Sequence, residues 1–317
     1  MGNPETSFLM ARHTKKTTKP EEGSNISGEF YQGITEEGEK LVREKTREHL
    51  LNIIESSEPG SVVMFLGASD LPRTKSTSQV SANEVKSLLA DQTDQYLVYE
   101  QKDIESMVDK ETQCTREVLS KTVADNPDKK IVLSYPLFLK EFSMLVPEKG
   151  PRANEPDWKS AGVAEKKSEY LLELLKRNND DEDDSLFDWV KNKGEIITED
   201  GKILKGPNPE KVAQDYIQGM RRLENFAKEL FPGRPLTIEV STHSWDIDAF
   251  IAYATHQGKL DSQTLEEIEV GTGGEKKFIS EFEFPVIKIG GEKQTLNYRG
   301  KEWELNSPEF MEEQKQE

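Results

Sequence analysis

The chain has 317 residues, 34% hydrophobic and 32% charged, with 42 basic and 60 acidic side chains and a net charge of −18. That length allows one large domain, or a domain with a sizeable insertion, around a real core. The acidic surplus argues against broad binding to nucleic acid or to an anionic membrane. A single cysteine, Cys114, excludes an internal disulfide and a cysteine metal cluster. The longest apolar stretch, Val62 to Leu66, is too short to span a bilayer. With no basic-then-apolar leader, the cytoplasm is the expected location.

Phe8-Leu9-Met10-Ala11 reads as a first strand that ends at Arg12-His13. After a polar loop, Thr35 is an expected N-cap, with Glu36 and Glu37 in the first turn of a helix. His49 on that helix is a packing or surface residue. Glu58-Pro59-Gly60 stops the helix, and Ser61 to Leu66 is the second strand. A helix over Ser76 to Leu89 follows, then strands over Tyr96 to Tyr99 and Lys130 to Tyr135. Strands alternating with helices predict a parallel-containing sheet covered by helices.

From about Leu139 to Pro207 the rhythm breaks. An amphipathic helix (Tyr170, Leu171, Leu174, Leu175) precedes the acidic run Asp180 to Asp184, expected as a solvated loop because it lacks the spacing and glycine of a calcium loop. Trp158 and Trp189 either line a pocket or form a small core belonging to this insertion. Pro209 opens a long helix to Leu230, which leads into the strand Leu236 to Val240 and then Ser241-Thr242-His243. Phe278 to Ile289 and Leu296 to Trp303 read as an edge hairpin turning at Gly290-Gly291.

Two of the four histidines, His13 and His243, thus stand just beyond strands. Ligands of open α/β sheets bind in the crevice at the carboxyl ends of the strands. Strand Val62 to Leu66 runs into Gly67 to Thr77, which sets Arg73 at the same edge as Arg12. Two guanidiniums and two imidazoles suit a tetrahedral oxyanion, because arginine offers a planar fork of donors. Lys15, Lys16 and Lys19 cluster after the first strand and could add to a basic mouth or be a solvated loop. A salt bridge to Asp70 is the plainer reading of Arg73, and a dipole-complementing position near Gly258 is that of His256.

This ordered set resembles the histidine phosphatase superfamily, whose best-known members are phosphoglycerate-mutase-like. Arg12-His13 is similar to its N-terminal Arg-His motif, and Ile34-Thr35-Glu36-Glu37-Gly38 to the segment opening its first helix. Ser69-Asp70-Leu71-Pro72-Arg73-Thr74-Lys75-Ser76-Thr77 resembles its Ser-Asp-Leu-x-Arg-Ala-x-Gln-Thr, and Val240-Ser241-Thr242-His243 its late Val-Ser-His, with one residue more. Thr14 and Ser244 stand where the family usually has glycine, and Thr18 or its neighbours where it has asparagine.

The resemblance implies a three-layer α/β/α fold with a mostly parallel sheet. The core is expected over 1–138 and 208–306, an inserted cap over 139–207, a C-terminal β-hairpin, and a polar tail over 307–317. It implies a phosphomonoester hydrolase that needs no metal or other cofactor and acts on a small phosphorylated substrate. In that reading His13 forms a phosphohistidine, Arg12, Arg73 and His243 hold the non-bridging oxygens, and Lys16 helps to bind phosphate. Glu100, after the strand that follows the second arginine, is the expected proton donor, with Asp103, Glu105, Asp246 and Asp248 as rivals and helix capping as a competing role for the last two. A mutase and a silent phospho-ligand-binding protein are the alternatives, and a homo-oligomer paired through the hairpin edge is possible.

Overall fold

The computed structural model describes residues 4–19, 21–67, 69, 71–107, 115–134, 139–142, 159–160, 163–269, 278–290 and 293–305. Asp70, Cys114, Tyr135, Trp158, Gly291 and the 307–317 tail lie outside these residues. In chain order the main elements are β1 (Thr6–Arg12), α1 (Glu36–Lys45), β2 (Val62–Leu66), α2 (Pro72–Leu89), β3 (Tyr96–Glu100) and β4 (Lys130–Ser134). There follow α3 (Glu169–Arg177), α4 (Glu182–Asn192), α5 (Pro209–Leu230), β5 (Leu236–Thr242), α6 (Ser244–Thr255), β6 (Val286–Ile289), β7 (Thr295–Tyr298) and β8 (Lys301–Glu304).

Eight strands form one sheet in the order β8-β7-β6-β1-β5-β2-β4-β3. The five strands from β1 to β3 run parallel, and the last three add antiparallel at the β1 side. Helices cover both faces, as the side chains require. Phe8 and Met10 of β1 join Val62 and Met64 of β2 in one buried cluster with α5 and α6, whereas Leu9, Ala11, Val63 and Phe65 join the opposite cluster under α1 and α2. Strands buried on both faces need such near-continuous apolar runs. The fold is the expected three-layer α/β/α arrangement.

The pairing register positions the site. β1 and β5 lie side by side with Arg12 opposite Thr242, and β5 meets β2 with Val240 opposite Leu66. The residues after all three strands therefore leave the sheet at one edge. Gly67 lets the chain leaving β2 lie against α2, since a Cβ there would come within 2.5 Å of the Lys75 Cα.

Four expectations are corrected. Helix α2 starts at Pro72, not Ser76, so Arg73 sits in the first helical turn; proline is favoured at that position because its missing N–H would have no partner there. The acidic run is a helix start rather than a loop: Asp181 caps α4 by accepting from the Asp183 and Asp184 N–H groups, and the following acids occupy the positive end of the helix. The C-terminal hairpin is a three-stranded meander in which Phe278, Phe282 and Phe284 lie outside the strands. Finally, Trp189 does not belong to a separate cap core. It is fully buried in the main cluster, and its ring stacks on Trp245 of α6 at 6.2 Å and 24°.

Candidate functional site

A cavity of about 370 Å³ opens where β1, β5 and β2 end, and Arg12, His13, Lys16, Arg73 and His243 all line it. The backbone places the two histidines together, because the His13 N–H donates to the Thr242 carbonyl at 2.9 Å, continuing the β1–β5 ladder. Their rings lie 5.3 Å apart, edge to face at 68°.

At His13, Nδ1 lies 2.8 Å from the Thr14 carbonyl oxygen. A carbonyl only accepts, so Nδ1 carries the proton and Nε2 keeps its lone pair. Arg73 Nε donates to that Nε2 at 2.9 Å. Burial holds the His13 pKa well below the usual histidine value, and the Arg73, Arg12 and Lys16 charges add to the depression against the bond to Thr14. The ring is therefore neutral at physiological pH.

Arg12 is aimed by the segment that precedes β6. Its Nη1 donates to the Ile279 carbonyl at 2.8 Å, while the backbone bonds Arg12 N to Glu283 O and Phe282 N to Arg12 O fix the strand end. Arg12 Nε is buried without a hydrogen-bond partner. His243, the residue before α6, places Nε2 2.8 Å from the Ser69 hydroxyl. Lys16 has its pKa lowered by burial, then by Arg73, Lys167 and Arg12, with Glu182 acting in the opposite sense.

Thr14 holds the glycine position of the resembled motif, yet its side chain does not fill the hollow. Its hydroxyl donates to the Gly38 carbonyl at 3.0 Å, and its N–H donates to the Thr77 hydroxyl at 3.2 Å. Gly38 makes room for it, since a Cβ there would lie 3.1 Å from the Thr14 hydroxyl oxygen and 3.0 Å from the Lys15 carbonyl.

Glu100 is not brought to this cavity. It ends β3, the far edge strand, where Lys86 and Lys102 each approach its carboxylate at 2.7 Å. Partial burial would raise its pKa, but those two ammonium groups outweigh it and hold the carboxyl below its usual range. Asp103 is tied to the same edge, accepting from the Glu100 N–H and from Lys86; the Glu105 side chain lies outside the described residues. The sequence offers no way to see that β4 separates β3 from β2, which moves Glu100 outward by one strand.

Asp246, in the first turn of α6, is buried and lines the cavity. Its charge and a hydrogen bond act on the buried Tyr216 hydroxyl, which also pairs with Thr242 Oγ1 at 2.6 Å; burial first and then Asp246 push the Tyr216 pKa far up. Asp248 accepts from the Ile279 N–H rather than capping its own helix.

Sequence reasoning missed what the insertion and the C-terminal segment contribute. Lys167, Leu171, Leu175, Glu182 and Glu281 all reach the cavity. For Glu182 a signal was present: an aspartate followed by acids before an apolar run marks a helix start. Lys19 pairs with Glu22 at the surface, and His256 is tied to Ala252 and Glu267. Among the described residues no group of three or more His, Cys, Asp or Glu side chains is arranged to hold a metal ion, and no helix is long and apolar enough to cross a membrane.

Fold and site together define a three-layer α/β protein with a paired-histidine, arginine-lined pocket at the carboxyl edge of its sheet. No family model matches the sequence, and no curated protein matches it. Among solved structures the chain is similar to a mycobacterial glucosyl-3-phosphoglycerate phosphatase, at 10% identity over 90% of each chain and a TM-score of 0.40. It is also similar to an alpha-ribazole phosphatase from Shigella flexneri, at 10% identity over 93% of this chain and 96% of that one and a TM-score of 0.41. A mycobacterial hydrolase is similar at 9% identity over 97% and 94% of the two chains and a TM-score of 0.42.

Proposed function

We propose that the chain is a phosphomonoester hydrolase of the histidine phosphatase type, working through a phosphohistidine on His13 Nε2. The observation that carries this reading is the pairing of Arg73 Nε with His13 Nε2 while Nδ1 is held by the Thr14 carbonyl. The ring is thereby oriented and its Nε2 kept unprotonated, beside a guanidinium that passes its Nε–H from Nε2 to a phosphoryl oxygen when substrate enters. In the first step Nε2 attacks phosphorus in line, the phosphorus–oxygen ester bond breaks, and the leaving alkoxide takes a proton from the enzyme. In the second, water attacks the phosphohistidine and gives its proton to the carboxylate left by the first step; the nitrogen–phosphorus bond breaks, releasing phosphate and restoring both the ring and the acid.

Arg12, Arg73 and His243 stabilise the charge spread over the non-bridging oxygens. A clamp of this kind contributes about 10³–10⁵-fold in phosphoryl transfer. The buried, unpartnered Arg12 Nε supports this role, since such a donor is costly unless a ligand oxygen meets it. Lys16 adds charge at the mouth. Asp246 replaces Glu100 as the proton donor, because it is the buried carboxylate of the cavity and begins one turn after His243; such a donor contributes about 10²–10⁴-fold. The 139–207 segment acts as the cap, the reaction needs no metal or other cofactor, and the cytoplasm is the working compartment.

The test is turnover of p-nitrophenyl phosphate by purified protein, with brief-exposure mass spectrometry for phosphate on His13. His13→Ala is expected to abolish both signals, and Arg73→Ala to lower kcat by about 10³-fold. Turnover that survives His13→Ala would overturn the phosphohistidine route.

A further inference from the structure

Resting on the phosphatase reading, we infer that the site is built for a singly phosphorylated ester whose body is aromatic or otherwise apolar and uncharged. The phosphoryl end is fixed by Arg12, His13, Arg73 and His243 at the floor. The insertion adds Lys167, Leu171, Leu175 and Glu182 to the cavity lining. Leu171 and Leu175 stand one turn apart on α3, each less than a tenth exposed, and both face the cavity. Trp245 also lines the cavity, and its half-buried indole is held in place by its stack on Trp189. An aromatic ring backed by a second ring, in one cavity with two leucines, is a surface for a flat apolar group.

The charges above the floor do not favour a second anion. Lys16 and Lys167 are matched by Glu182 and Glu281, and the Glu182 carboxylate acts directly on the Lys16 ammonium. A second phosphate or carboxylate on the substrate would have to break this balance and would meet two acidic side chains. The cavity volume, about 370 Å³, is near the small end of ligand pockets, enough for the phosphate and one ring-sized body.

Hydrolysis rates would mix this preference with leaving-group chemistry, so the test uses phosphonates, whose carbon–phosphorus bond is not cleaved. Inhibition constants are measured for inorganic phosphate, methylphosphonate, benzylphosphonate and 3-phosphonopropionate against p-nitrophenyl phosphate. Benzylphosphonate is expected to bind at least about tenfold more tightly than methylphosphonate, about 1.4 kcal/mol. 3-Phosphonopropionate is expected to gain nothing over methylphosphonate. The double variant Leu171→Ala, Leu175→Ala should shrink the benzyl preference to about threefold while leaving inorganic phosphate inhibition unchanged, which shows that the floor is still folded. Benzyl and methyl compounds within twofold of each other, or tighter binding of the carboxylate, overturn the inference and leave the phosphatase reading standing. If no compound inhibits, inorganic phosphate included, the phosphate site itself is wrong and the inference falls with it.

Discussion

His13 and Glu239 are both buried titratable groups, and they respond to pH in opposite directions. The depressed His13 pKa means that its ring stays neutral below pH 6.5. The acidic limb of kcat/KM for p-nitrophenyl phosphate should accordingly lie well under pH 6.5; a limb at or above that value would show that neither burial nor the surrounding cations hold the ring's pKa down. Because the unfolded chain binds that proton more readily, His13 also withdraws stability as pH falls below about 6.5. Glu239 lies in the middle of β5, bonded to the Ser78 and Ser241 hydroxyls at 2.7 Å each. Burial, opposed by those bonds, pushes its pKa from 4.5 up to about 7. An acid whose folded pKa is raised loses stability as pH rises from about 4.5 through about 7, here by about 3 kcal/mol in full. Glu239→Gln should therefore match the parent in denaturant unfolding at pH 5 and exceed it at pH 8. Equal stabilities at pH 8 would mean that Glu239 does not ionise at a cost.

The elements that hold the site are joined by charge as well as by apolar packing. Arg43 of α1 bonds Glu39 on its own helix at 2.9 and 3.0 Å and reaches Glu84 of α2 at 2.6 Å, with Arg47 also at 2.6 Å from Glu84. Glu39 and Glu84 are buried, so the joint depends on its cations. Arg43→Ala should cost about 3–5 kcal/mol in denaturant unfolding, since it strands a buried carboxylate. A cost under about 1 kcal/mol would mark the network as a surface feature. This joint keeps α2, and with it Arg73, against the sheet. At this scale the sequence was legible where local rules act alone. The Thr35 cap, with its hydroxyl 3.1 Å from the Gly38 N–H, and the Pro209 start both follow from residues a few positions apart. The acidic run looks like loop unless the Asp181 cap is recognised, and α2 starts at Pro72 behind Leu71, whose side chain makes no cap, so only the proline marks it.

Across the whole molecule, α3 and α4 share one buried cluster with β1, α5 and α6, to which Leu174, Trp189, Phe8, Met220 and Phe250 all contribute. Ligand binding at the floor should thus stabilise the molecule as a unit. Inorganic phosphate at about a hundred times its Kd is expected to add about 2.7 kcal/mol of folding stability. The same addition should leave Arg12→Ala and Arg73→Ala almost unshifted in thermal melts; an equal shift in those variants would locate phosphate elsewhere.

The sequence by itself determined the alternation that makes a parallel sheet, the two histidines beyond their strands, Arg12 beside His13, and Arg73 after a third strand. Those features depend on short-range patterns and on the rule that strand ends gather a ligand. Only the tertiary structure decided the strand order, which inserts β4 beside β2 and carries Glu100 away to a lysine-held edge. It alone also brought Leu171, Leu175 and Glu182 to the cavity and turned Asp246 into its buried carboxylate. The reason is physical: which strands pair, and where the helices α3 and α4 pack, is set by apolar surfaces meeting across long stretches of chain, and no local spacing encodes that choice.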